Sequence, residues 1–225
     1  MTKSGGLRLG AGVTAAAMFF AGLAARAAPQ SGHSRHLIYV HGRIVQEQQI
    51  ARPRSARFGY YELEKILDAF RERRFVVSGE IRPKTASVSD SADRVVKQIR
   101  RLLESGVPSD HITVVGASMG AAIALLASTR LQNPGVRFCV LGACLSESVR
   151  GLRADAGKGP SGRLLAIREA SNDLIGPCPG WKDEESPSGL IAREIVLNTG
   201  LSHGFLYRPL PKWVAPVAEW AGGAP

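Results

Sequence analysis

Ser118 stands between two glycines in Gly116-Ala117-Ser118-Met119-Gly120, where the β-branched run Ile112 to Val115 gives way to the alanine-rich segment Ala121 to Leu126. A serine hydroxyl is a weak nucleophile, useful only when it is held exposed beside a base. A sharp turn from buried strand to buried helix gives that exposure, and small residues two positions either side keep strand and helix from colliding. The pattern suits attack on an acyl carbonyl. A glycine-rich phosphate turn would keep the strand and the helix but would not require serine at the apex.

The base has to come from elsewhere in the chain, so the elements that could carry it matter. His36 to Val40 reads as a first strand, followed by a polar loop from Arg43 to Gly59. Tyr60 to Arg71 places Leu63, Ile66, Leu67 and Phe70 on one helical face, and Phe75 to Ile81 is a second strand. Ser89 to Leu103 is a second amphipathic helix, and the elbow helix runs to Leu131. Arg137 to Leu141, Leu164 to Ile167 and Glu194 to Leu197 are further strands, with a last helix over Trp213 to Trp220. Strands alternating with helices predict a parallel sheet covered on both faces.

In such a sheet, functional groups gather at the carboxyl ends of the strands. His111 precedes the strand that Ser118 ends, which at ~3.3 Å per residue sets it roughly 20 Å away, at the wrong edge. His33 lies ahead of the first strand, and His41 ends that strand in a separate motif. His203, in Thr199-Gly200-Leu201-Ser202-His203-Gly204, follows the sixth strand at the right edge and is the candidate base.

The glycine-flanked serine and this element order resemble the nucleophile elbow and layout of the α/β-hydrolase family. The resemblance implies an α/β fold: a three-layer αβα sandwich on a mainly parallel sheet of about six strands, a minimal version without two N-terminal strands. It also implies a relay in the chain order serine, acid, histidine. In the loop from Glu169 to Gly176 it points to Asp173 as the acid; Glu147 and Asp155 are the other acids that could serve. Oxyanion donors are expected from the Met119 N–H and from Val40-His41-Gly42-Arg43, similar to the family's His-Gly motif. There the Arg43 N–H is preferred over those of Gly42 and Ile44. The sequence lacks the HGGG form of some lipases and esterases. No cofactor is implied.

At 225 residues and 44% hydrophobic content the chain suits one core. Lys3 and Arg8, the apolar run Leu9 to Ala25 and the small-x-small Ala25-Arg26-Ala27 read as a signal peptide over residues 1–27, leaving a hydrolase domain over 28–225. Too diluted by alanine and glycine for a stable span, the run predicts a periplasmic or secreted protein with no membrane anchor after cleavage. In that oxidising setting Cys144 and Cys178, each after a strand at one sheet edge, could form a disulfide; Cys139 reads as a buried thiol.

Removing Lys3, Arg8 and Arg26 takes the net charge from +10 to +7. Arg43, Arg52, Arg54 and Arg57 after the first strand, and Arg82 and Lys84 after the second, are expected to form a cationic rim for an anionic substrate or surface. Charge alone suggests nucleic acid, but no recognition helix or aromatic-basic sheet motif accompanies it. No His, Cys or Asp cluster has metal-ligand spacing. The expectation is therefore an exported esterase-like serine hydrolase acting on small, accessible esters, with a non-catalytic binding protein on the same fold as the alternative. No oligomeric state follows from the sequence.

Overall fold

The computed structural model describes residues 1–2, 34–143, 159–172 and 190–223. The expected signal segment from residue 3 onward lies outside them, as do Asp173, Glu147, Asp155, Cys144 and Cys178. In chain order the elements are β1 (His36–Val40), α1 (Arg43–Gln48), β2 (Arg54–Ser55), β3 (Gly59–Tyr60), α2 (Leu63–Arg71), β4 (Val76–Ser78) and α3 (Val88–Glu104). They continue with β5 (Ile112–Ala117), α4 (Met119–Leu131), β6 (Arg137–Leu141), β7 (Arg163–Glu169), β8 (Ile191–Leu197) and α5 (Pro211–Gly222).

Six strands form one sheet in the order β4-β1-β5-β6-β7-β8, and every neighbouring pair is parallel. The register sets Val40 beside Gly116 and Ala117 beside Leu141, so the strands end together at one carboxyl edge. Alternate side chains go to opposite faces. Leu37, Tyr39, Val115, Ala117, Leu165 and Ile167 meet Phe70 of α2 and Trp213 and Val217 of α5. Ile38, Val40, Val114, Phe138, Val140 and Leu164 meet Val95, Val96 and Ile99 of α3 and Ile123 and Leu126 of α4. Burial on both faces explains why these strands read as unbroken apolar runs.

The helices begin where local chemistry allows. Ser87 caps α3 reciprocally: its Oγ accepts from the Asp90 N–H at 3.0 Å, while the Asp90 carboxylate accepts from the Ser87 N–H at 3.4 Å. α4 is apolar all round because it lies between the sheet and α3. Trp213 is fully buried, and its Nε1–H donates to the carbonyls of Phe205 and Arg208, tying α5 to the segment that carries His203.

One expectation needs correcting. The stretch from Arg43 to Gly59, predicted as a loop, contains α1 and the antiparallel pair β2 and β3. Six residues of helix are too short for apolar periodicity to appear. α1 is held instead by tertiary bonds, its Gln46 side chain donating to the carbonyls of Lys84 and Ala86.

Candidate active site

The backbone of Ser118 has φ 54° and ψ −118°, a region that costs a non-glycine residue about 1–3 kcal/mol. The surroundings enforce it. A Cβ on Gly116 would overlap the Gly120 carbonyl, and a Cβ on Gly120 would overlap the Val40 carbonyl, so strand and helix close to a distance only glycine permits. The Ser118 N–H donates to the Leu141 carbonyl at 2.8 Å, and the Ser118 carbonyl accepts from the Ala121 N–H at 2.8 Å. The side chain is left at the carboxyl edge.

Across that edge, His203 Nε2 lies 2.9 Å from Ser118 Oγ, although the residues are 85 apart in sequence. His203 sits in a 3-10 segment, Ser202–Tyr207, and is 9% exposed. The Phe58 ring, 6.1 Å away between centroids, lies against the imidazole, and Gly204 lets it close because a Cβ there would come within 3.1 Å of Phe58. Asn172 Nδ2 is 3.1 Å from His203 Nδ1. For Nε2 to accept the serine proton, Nδ1 must carry hydrogen and face an acceptor. The Asn172 amide meets that need when its oxygen is turned toward the ring. A carboxylate would meet it with charge; Asp173 follows Asn172 directly in sequence.

The opposite wall is the turn after β1. His41 is fully buried; its Nε2 accepts from the Arg82 N–H at 3.0 Å, so its Nδ1–H donates to the Gly42 carbonyl at 2.8 Å. Burial, then the nearby Arg82 charge, push its pKa down to about 4, and the ring is neutral at ordinary pH. Its bond to Gly42 fixes the plane of the peptide that carries the Arg43 N–H. Gly42 packs near Ser118, a Cβ there lying 3.5 Å from the Ser118 Cβ. Arg43 and Met119 each open a helix, α1 and α4, where the first N–H groups have no acceptor within the helix.

The basic residues separate into two groups. Arg52 gives two 3.0 Å hydrogen bonds to the Glu62 carboxylate and lies over Tyr60, while Arg54 is 5.9 Å from that ring. Arg57 lies over Phe58 at 5.0 Å, one ring away from His203. Arg82, expected on the rim, is instead buried at 9% exposure, with Nε donating to Gln46 Oε1 at 3.1 Å. Its backbone N–H is fixed by the buried His41 Nε2 at 3.0 Å, and Gln46 Oε1 is the buried acceptor that holds the guanidinium inside. The Lys84 carbonyl accepts from Gln46, tying its loop to α1.

Three contacts at the site escaped the sequence reading. Phe58 stands in a stretch that reads as polar loop, Asn172 is adjacent to the more conspicuous Asp173, and Glu169 reads as the start of a loop, whereas it closes β7. Among the described residues no group of His, Cys, Asp and Glu could hold a metal ion, and no helix is long and apolar enough to cross a membrane.

Comparison with solved structures defines the class. A variant of SOBER1 from Arabidopsis thaliana aligns with TM-score 0.55 and 13% identity, covering 84% of this chain and 99% of that one. Unmodified SOBER1 gives 0.51 at 12% identity, over 85% and 99%. MGS-M1, an alpha/beta hydrolase enzyme from a Medee basin deep-sea metagenome library, gives 0.50 at 14% identity, over 85% of each chain. At such identities the likeness is one of fold, and the chain has the α/β-hydrolase fold. No protein-family model and no curated protein sequence matches it.

Proposed function

We propose that the protein is a serine hydrolase cleaving ester bonds by acyl transfer to water. The observation that carries this reading is the 2.9 Å approach of His203 Nε2 to Ser118 Oγ at a strained, glycine-wedged elbow. Ser118 Oγ attacks the carbonyl carbon as its proton passes to His203 Nε2; the leaving alcohol takes that proton as the tetrahedral intermediate collapses to an acyl-enzyme. Water then attacks the acyl carbon as its proton passes to His203 Nε2; the second tetrahedral intermediate collapses by breaking the bond to Ser118 Oγ, which recovers that proton from His203, and the carboxylic acid departs. Asp173, which follows Asn172 in sequence, is the proposed orienting acid for Nδ1–H. The N–H groups of Met119 and Arg43 are the proposed oxyanion donors.

Arg57, with Arg52 and Arg54 further along the same hairpin, supports a preference for anionic esters. The basic, then apolar, N-terminal sequence supports export to the periplasm or medium.

The decisive test is a fluorophosphonate probe with wild type and Ser118→Ala, followed by a panel of esters, thioesters and amides. Labelling at Ser118 with ester turnover is expected. A folded wild type that neither labels nor turns over any acyl substrate would favour a binding protein on this fold. Hydrolysis of anionic esters should fall with added salt more steeply than that of neutral ones; equal salt responses would remove the anionic preference.

A further inference from the structure

Glu169 ends β7 with 1% exposure, and its partners among the described residues are neutral donors. Oε1 accepts from the N–H groups of Thr199 and Gly200 at 3.1 and 3.3 Å, and from the Ser171 N–H and Oγ–H at 3.4 and 3.1 Å. Oε2 accepts from the Thr199 N–H at 3.0 Å and its Oγ1–H at 2.6 Å. One carboxylate thus joins the turn after β7, which leads to Asn172, to the turn after β8, which leads to His203.

The hydroxyls carry the effect further. Thr199 Oγ1 accepts from the Leu201 N–H at 3.2 Å, and Ser171 Oγ accepts from the Ser202 N–H at 3.1 Å. Ser202 has φ 49°, a left-handed backbone immediately before His203, and such a conformation persists only where its neighbours over-determine it. An ionised carboxylate can only accept. Both hydroxyls must therefore point their hydrogens at Glu169 and offer lone pairs to the histidine turn.

We propose that Glu169 is a positioning residue for His203, acting through the Thr199 and Ser171 hydroxyls on the Leu201 and Ser202 amides. This rests on the reading of His203 as the base. Shape alone does not suffice for the role: an amide at 169 presents NH2 at one of the two oxygen positions. Because the Thr199 N–H approaches both oxygens, either orientation sets donor against donor and turns a hydroxyl out of its relay.

Glu169→Gln, Thr199→Val and Thr199→Ser are to be compared with wild type by amide hydrogen exchange and by ester kinetics. In Glu169→Gln and Thr199→Val, exchange at Leu201 and Ser202 should quicken while the α4 amides keep their protection. kcat should fall roughly 10- to 100-fold with KM within about twofold, the signature of a misplaced base. Thr199→Ser should recover most of both. Unchanged exchange at Leu201 and Ser202 in these variants would overturn the proposal, as would loss of protection spread evenly through the sheet. Should Glu169→Gln not fold, Thr199→Val decides alone. If wild type hydrolyses no acyl substrate, the serine hydrolase reading fails, whereas the exchange measurement still decides whether Glu169 governs the turn.

Discussion

The two sides of the candidate site are held by different forces. Around Ser118 the backbone is wedged: Gly116 and Gly120 remove side chains where the Val40 and Gly120 carbonyls approach, and the serine is strained by steric closure. Around His203 and the turn after β1 the chain is held by buried hydrogen bonds, through Glu169 on one side and His41 on the other. The wedge contains no titratable group, while the polar supports depend on the protonation of theirs. The first should therefore respond to changes of volume and the second to changes of charge.

The largest effect expected is on the wedge. Gly120→Ala sets a methyl against the Val40 carbonyl, a backbone atom that cannot rotate away, so β1 and α4 must separate. Destabilisation above about 4 kcal/mol is expected in urea unfolding, at the high end for a single methyl group. A loss below about 1 kcal/mol would mean that the elbow yields, and the contrast between the two sides would weaken.

The polar side should show itself as pH dependence. His41 has a folded pKa of about 4 against an ordinary value of 6.5, so between these values the unfolded chain binds a proton that the folded chain refuses. Stability from this group is complete above about pH 6.5, falls as pH drops toward 4 and then levels off, a change of roughly 3 kcal/mol. Glu169 adds to it with the same sign. Burial alone would push its carboxyl up, but the hydrogen bonds from Thr199 and Ser171 outweigh that and hold it below the usual carboxylate value. Its stabilisation is lost as pH falls through that lowered value. Urea midpoints measured from pH 8 to 3 check this, and His41→Asn should flatten the part of the curve above pH 4.

The same contrast explains what could be read from the sequence. The wedge was legible because steric rules act locally: small-x-Ser-x-small between an apolar strand and an alanine-rich helix has few other physical meanings. The central strands β1, β5, β6 and β7 were legible for a similar reason, since burial on both faces writes continuous apolar runs, whereas the edge strands β4 and β8 are partly exposed. His203 followed from the geometry of the sheet edge. The hydrogen-bonded side was much less legible. Nothing in the neighbours of Arg82 marks it as buried, because its burial depends on His41 and Gln46, residues brought to it by the fold. Glu169 likewise gains its role from Thr199 and Gly200, which follow a different strand. Long-range polar pairing has no period along the chain.

The smallest effect separates strain from function at the elbow itself. At φ 54° and ψ −118°, Ser118 occupies a conformation that glycine adopts freely and alanine does not. Replacing the serine by either residue removes the hydroxyl and should abolish probe labelling equally. The two should differ in stability: Ser118→Gly should exceed Ser118→Ala by about 1 kcal/mol, because relief of backbone strain outweighs the extra freedom glycine gives the unfolded chain. Equal stabilities would show that the elbow is relaxed as it stands. The side of the site attributed to steric closure would then owe its shape to hydrogen bonds as well, beginning with the Ser118 N–H to the Leu141 carbonyl.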